Sequence, residues 1–453
     1  MDQFDLVVIG GGLAGSEACW QAAERGIHVR LFEMRPKTAT GAHKTANLAE
    51  LICSNSLGSN LPNKSNGILL AELRAMHSLL IRIADQTAVP AGNALAVDRE
   101  LFSEGITKEL ESHPNIEIIR EECKVLPDHP CIIASGPLTS SDLVWELEKL
   151  VGKNSHFFYD AIAPIVEADS IDMNIAYRAS RYADGDEESG DYINCPFTQE
   201  EYNQFIEELL YADRIGLHDF EQELDSGIPG EKANYFERCL PVEVLARRGI
   251  DALAYGPMRP TGLKDPKTDR WPYAVLQLRQ DNAANTLYNL VGFQTNMTFK
   301  EQARILRMVP GLKDAAFVRY GQMHRNSYLL SPAFLNPTCQ HRSRPQYFFA
   351  GQLIGVEGYA GNIASGLAAG INAARMLQGK ELITFPVGTM LGGLMNYVAT
   401  AEQRHFQPMK ANFGLLPEMR LPRRISKTDK HLKMAKAART CMSDFLERNQ
   451  NEF

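Results

Sequence analysis

Residues 5–9 form a short apolar run, residues 10–15 a glycine-dense hexapeptide, and residues 16–25 carry small and apolar side chains at helical spacing before residues 27–33 turn apolar again. Short apolar runs bounded by glycine mark strands, and the longer periodic segment marks a helix, so the opening predicts strand, turn, helix, strand. The same pattern predicts a helix over 97–112, an extended segment over 116–120 and a strand over 131–135 that stops at Gly136. Alternation of this kind implies parallel α/β architecture to about residue 155.

The pattern changes character from about residue 156. An acidic run over 184–188, many Pro and aromatic residues and an irregular stretch over 256–272 indicate a different unit. Residues 347–350 then predict a strand, followed by Gly351 and a small-residue helix over 361–377 suited to close packing on a sheet or ligand. The organisation expected is an α/β dinucleotide-binding domain, residues 1–155 and 320–453, interrupted by a smaller α+β insertion domain, residues 156–319. The chain shows no internal repeat.

With 453 residues, 44% of them hydrophobic, the chain can bury more than one core. Its net charge of -8 provides no global attraction for a polyanion, so any nucleic-acid contact must be local. Residues 401–440 hold ten Lys or Arg against three Asp or Glu, among them Arg420, Arg423, Arg424, Lys427, Lys430, Lys433 and Lys436. That run reads either as a solvated helix face or as a track for a phosphate backbone. The apolar stretch 69–84 is broken by Glu72, Arg74 and Arg82, which argues against a membrane span, and the N-terminus lacks the order of a signal peptide. Eight cysteines, scattered without a C-x-x-C pair, suggest neither a disulfide framework nor a metal site and fit a reducing cytoplasm.

Gly10, Gly12 and Gly15 form G-x-G-x-x-G between a strand and a helix, with Gly11, Leu13 and Ala14 between them. Each glycine removes a Cβ from the tight turn, the pyrophosphate or the helix–strand contact, and the helix N-terminus attracts phosphate. Glu33 closes the second strand, where an acid binds the adenosine ribose. A nicotinamide cofactor would satisfy the same fingerprint. The second glycine-rich unit, with Gly351, Gln352, Gly361 and Asn362, favours FAD, because a flavin needs further backbone donors near its ribityl chain and ring. NAD(P)H is then expected as a transient reductant.

Two thiols have cationic company. Cys53 lies in a run, 48–57, whose apolar start suggests a short helix, with His43 and Lys44 upstream; Cys239 follows Arg238 and precedes Pro241. Neighbouring cations favour the reactive thiolate, although a single cysteine is more often a small buried hydrophobe. Cys19, Cys123, Cys131 and Cys441 fall in expected helices or strands and read as structural, while Cys195 and Cys339 stay open.

Several blocks carry a family resemblance: Val-Ile-Gly-Gly-Gly-Leu-Ala-Gly-Ser-Glu at 8–17, Ala-Glu-Leu-Ile-Cys-Ser-Asn-Ser-Leu at 49–57 and Phe-Glu-Arg-Cys-Leu-Pro-Val-Glu at 236–243. Leu-Val-Gly-Phe-Gln-Thr-Asn at 290–296, Met-His-Arg-Asn at 323–326 and Phe-Ala-Gly-Gln-Leu-Ile-Gly-Val-Glu-Gly-Tyr at 349–359 continue the set. Together they resemble the folate- and FAD-dependent tRNA uracil-5-methyltransferases over essentially the whole chain. The resemblance implies that methylenetetrahydrofolate passes a methylene through the flavin to C5 of the T-loop uridine 54 of tRNA, after a thiolate has added to C6. By motif, Cys239 matches the nucleophile and Cys53 the second thiol near the flavin. His324, Arg325 and Asn326 would bind folate carboxylates or RNA, or else cap a loop. The family usually has Gly before its nucleophile where this chain has Arg238. Ribosomal RNA as the substrate, or a plain NAD(P)H-dependent flavin oxidoreductase, are the alternatives, and no stable protein partner is implied.

Overall fold

Four buried apolar residues, Leu6–Ile9, form strand β1 at the centre of a five-stranded sheet. With β2 (Val29–Phe32), β3 (Ile116–Ile119), β4 (Cys131–Ile133) and β5 (Tyr347–Phe349), the order is β5-β4-β1-β2-β3, every pairing parallel. Parallel strands need covered faces, and this sheet gets one from α1 (Leu13–Ala23) and α2 (Tyr359–Leu377), which pack on each other. Their approach is close: a Cβ on Gly366 would fall 2.1 Å from the Ala14 carbonyl oxygen. The computed structural model describes residues 4–40, 42–152, 155–161, 163–181, 190–214, 240–321, 323–419 and 425–450.

Six strands drawn from residues 165–179, 192–197, 274–290 and 317–319 build a second sheet that is antiparallel at every junction, with Ala274–Gln280 and Tyr192–Phe197 as inner strands. The helix Gln199–Tyr211, started by a capping box between Thr198 and Glu201, lays Tyr202, Phe205, Ile206 and Leu209 into its core. Buried apolar residues form two large clusters, one drawn from 6–147 and 329–442, the other from 166–315. An antiparallel pair, Ser155–Ala161 with Met323–Leu329, stands where the chain passes between them.

Three local expectations change. The helix expected from 97 starts at Arg99, because Val97 ends a strand and the Asp98 side chain caps the Glu100 and Leu101 amides. Residues 48–57 are not helical: the Leu48 amide donates to Thr107 Oγ1, the Ala49 amide to the Gly11 carbonyl, Ala49 itself has φ +53°, and Ser56 opens the strand Ser56–Ser59. Amides bonded outward cannot form an i to i−4 ladder. Cys123 sits in a loop rather than in a helix or strand.

The C-terminal helix, Lys427–Arg448, buries Met434, Ala435, Ala438 and Met442 and leaves Lys430, Lys433 and Lys436 exposed. Arg420, Arg423 and Arg424 lie outside the described residues, as does the side chain of Lys427. No helix among the described residues is long and apolar enough to cross a membrane.

Candidate active site

The glycine turn and Cys53 line one continuous cavity. At its first end Gly10 has φ +100°, a left-handed conformation that costs glycine little, and a Cβ there would lie 2.6 Å from the Ala134 carbonyl oxygen. A Cβ on Gly15 would sit 1.8 Å from the Gly10 carbonyl oxygen, whereas one on Gly12 would meet nothing within 4 Å. The open space therefore lies over Gly12, at the N-terminus of α1, where a pyrophosphate would find amide donors. Glu33 accepts from the Gly11 amide at 3.0 Å and from the Arg35 amide and Nε at 3.0 and 2.9 Å. Burial opposes its ionisation, but Arg35 and these amides prevail and hold the carboxyl below its usual range. A carboxylate facing the cavity suits ribose hydroxyls, so the residues present fit an adenine dinucleotide such as FAD.

At the other end the loop around Cys53 is tied on three sides. The Cys53 and Ser54 amides donate to the Tyr359 hydroxyl, and the Cys53 carbonyl accepts from Arg99 Nη2 at 3.1 Å and Arg319 Nη2 at 3.2 Å. Arg99 also pairs with Asp281 at 2.9 Å. Burial, then repulsion from Arg99, draws the Arg319 guanidinium down to about 10, and its Nε has no partner among the described residues. Burial followed by the two arginines also lowers Lys44. Cations outnumber anions here, so the field around Cys53 favours negative charge.

Of the expected cofactor residues, Gly10, Gly12, Leu13, Ala14, Glu33, Gly351, Gln352 and Asn362 line the cavity. Gly11 and Gly15 are packed behind it, the first through its amide to Glu33. Gly361 does not reach it: its Cα faces Val356, which a Cβ would approach to 2.9 Å. His324, Arg325 and Asn326 lie on the strand Met323–Leu329 opposite residues 158–160, not in a loop, and their side chains are outside the described residues. Cys239 and Arg238 are also outside them. Cys19, Cys131, Cys195 and Cys339 are buried, and burial raises each thiol above its ordinary value. No group of side chains able to hold a metal occurs among the described residues.

A model of the family described as glucose inhibited division protein A matches residues 5–381. The methylenetetrahydrofolate–tRNA-(uracil-5-)-methyltransferase TrmFO of Natranaerobius thermophilus is 51% identical over 444 residues, covering 98% of this chain and 99% of that protein. The proteins of that name from Enterococcus faecalis and Bacillus subtilis are 53% and 50% identical, covering 93% and 92% of this chain and 93% of each relative. This chain belongs to that methyltransferase family. The solved structure of Aquifex aeolicus GidA in its form II crystal shares the fold, with TM-score 0.66 and 17% identity over 99% of this chain and 76% of that one.

In this family member, Glu357 and Tyr359 stand in the 349–359 block without an expected role, while Lys410 in the cavity wall and Arg99 and Arg319 behind the thiol loop have no local signal in the sequence. Glu357 pairs with Lys410 at 2.7 Å, and both line the cavity. Cys123, read as structural, also lines it.

Proposed function

We propose that this protein methylates C5 of a uracil in tRNA, the T-loop uridine 54, with carbon from methylenetetrahydrofolate, FAD as carrier and NAD(P)H as reductant. The observation that carries this reading is the placement of Cys53 in the same cavity as the Gly10–Gly15 turn and Glu33. When bound, FAD supplies the one-carbon and redox chemistry, and Gly12, Leu13, Glu33, Gly351, Gln352 and Asn362 would hold it.

The chain's own residues have a separate task. Uracil C5 becomes nucleophilic only after something adds to C6. Attack of a Cys239 thiolate on C6 pushes the C5–C6 electron pair toward C5 and O4, so that C5 can form the new carbon bond. Loss of the C5 proton, with Cys53, which lines the cavity, as the acceptor, and expulsion of the thiolate restore the ring double bond. Arg99 and Arg319, which donate to the Cys53 carbonyl, would add positive potential behind the thiol loop. A base buried in a stacked RNA must leave its stack to reach this depth. The proposal includes a cytoplasmic location, where such an RNA would be met.

Labelled methylenetetrahydrofolate, NAD(P)H and unmodified tRNA or ribosomal RNA test the reading, with Cys239→Ala and Cys53→Ala as controls. Label in thymine of the tRNA T-loop, lost in Cys239→Ala, is the expected result. Label in ribosomal RNA alone would change the substrate, and NAD(P)H oxidation without label in either RNA would leave a plain flavin oxidoreductase.

A further inference from the structure

A second large concavity lies on the inserted sheet, about 1050 Å³ in volume, walled by Phe197, Thr198, Tyr255, Arg259, Arg270 and Trp271. Two of its rings face solvent: Tyr255 is 86% and Trp271 61% exposed. Large aromatic rings ordinarily contribute by being buried, and neither of these stacks on another aromatic among the described residues.

The walls are held firmly. Tyr202 donates to the Ile250 carbonyl at 2.8 Å and accepts from the Ala254 amide at 3.1 Å, fixing the segment that carries Tyr255. Arg181 donates to the carbonyls of Arg259 and Thr261 at 2.7 and 2.6 Å, and Tyr273 donates to Asp251 at 2.6 Å. The rings are thus displayed on a built surface.

Charge identifies what the surface suits. Residues 247–273 hold six Lys or Arg against three Asp, in a chain of net charge -8. Each of those acids is engaged: Asp251 by Tyr273, Asp265 by the Lys267 amide and Thr268, Asp269 by Lys264. Arg259 and Arg270 are exposed and have no ion pair among the described residues. Flat rings beside unneutralised guanidiniums match unpaired bases joined by phosphates, whereas a groove for a protein helix would present aliphatic side chains.

Position completes the argument. The groove lies beside Tyr273, and the strand Ala274–Gln280 runs from there to the thiol loop, where the Gln280 carbonyl accepts from Asn55 Nδ2 at 2.9 Å. Six residue steps of a strand cover roughly 20 Å. We propose that the groove is a second RNA-docking site, which stacks unpaired bases of the substrate on Tyr255 and Trp271 and holds adjoining phosphates with Arg259 and Arg270 while the target base occupies the cavity. The inference rests on the substrate being RNA.

The experiment uses FAD-loaded full-length protein and unmodified tRNA, measuring affinity by fluorescence anisotropy over a salt series and methyl transfer under steady-state conditions. The Tyr255→Ala/Trp271→Ala protein should lose tenfold or more in affinity and gain as much in KM, with kcat at saturating tRNA within about twofold, since each stacked base contributes about 1–3 kcal/mol. Tyr255→Phe/Trp271→Phe should restore binding, because stacking survives, and Arg259→Gln/Arg270→Gln should flatten the salt slope by about 1.4. Wild-type affinity and slope in the Ala and Gln variants would overturn the proposal. So would failure of the Phe pair to rescue, which would mark a folding defect, or loss of self-association with RNA binding intact, which would mark a protein interface. Wild-type protein that binds RNA without transferring carbon would sink the proposed function and leave the groove standing.

Discussion

The phenolic oxygen of Tyr359 lies 3.0 Å from the Cys53 amide nitrogen and 3.2 Å from that of Ser54. One side chain from the start of α2 thus accepts two hydrogen bonds from the loop that carries the thiol, although 306 positions separate Tyr359 from Cys53. Tyr359→Phe leaves both amides without this acceptor, which costs about 1–3 kcal/mol when no water replaces it. The expected outcome is a fall in kcat of roughly tenfold or more with FAD content retained, because the loop, not the dinucleotide end, loses its anchor. Unchanged methyl transfer would show that Arg99 and Arg319 suffice to hold the loop.

Glu33 tests the dinucleotide end. Glu33→Gln removes the ion pair with Arg35 and the negative charge that suits ribose hydroxyls. FAD affinity should drop tenfold or more, read from flavin absorbance after dialysis, while tRNA binding changes little. Full retention of FAD would mean that the backbone donors near Gly12 and Gly351 dominate.

Close helix packing is a separate requirement. A Cβ on Gly366 would lie 2.1 Å from the Ala14 carbonyl oxygen, backbone that cannot yield without moving α1. Gly366→Ala should lower the melting temperature by several degrees, in line with an overpacking cost of about 1–3 kcal/mol, and weaken FAD retention, since α1 carries the glycine turn. A melting curve superimposable on the wild type would refute the clash.

Glu72 links stability to pH. Its carboxyl is buried and accepts from the Met390 and Leu391 amides at 2.8 Å each, at the N-terminus of the helix Met390–Thr400. Burial outweighs those amides and pushes its pKa up to about 7, above its ordinary value. The folded state holds the proton more tightly than the unfolded state, so the contribution is fully present below about pH 4.5 and is lost as pH rises through about 7. In denaturant unfolding, wild-type stability relative to Glu72→Gln should fall by up to about 3 kcal/mol from pH 5 to pH 8. A difference independent of pH would show that the carboxyl is ionised throughout.

What the sequence determined by itself was local. Glycine spacing, β-branched runs and the acid at position 33 specify a strand–turn–helix–strand unit whose register depends on neighbours a few residues away, and the structure has β1, α1 and β2 within a few residues of that reading. The change of pattern after about residue 156 is a local signal of the same kind, because antiparallel strands and irregular loops differ in composition from buried parallel ones.

Tertiary structure decided what local pattern could not. Residues 48–57 look helical, but amides at 48, 49 and 53 find Thr107, Gly11 and Tyr359, and bonds to distant partners override propensity. Arg99 and Arg319 sit 46 and 266 positions from Cys53 yet both donate to its carbonyl, so no periodicity or motif spacing marks them. Gly361 belongs to a glycine-rich block but turns into the packing against Val356, since which face of a helix meets a ligand depends on where the sheet lies. Charge and aromatic rings in residues 247–273 become a groove only when the antiparallel sheet brings Phe197 beside Tyr255 and Trp271, a pairing of distant segments that only the folded chain can make.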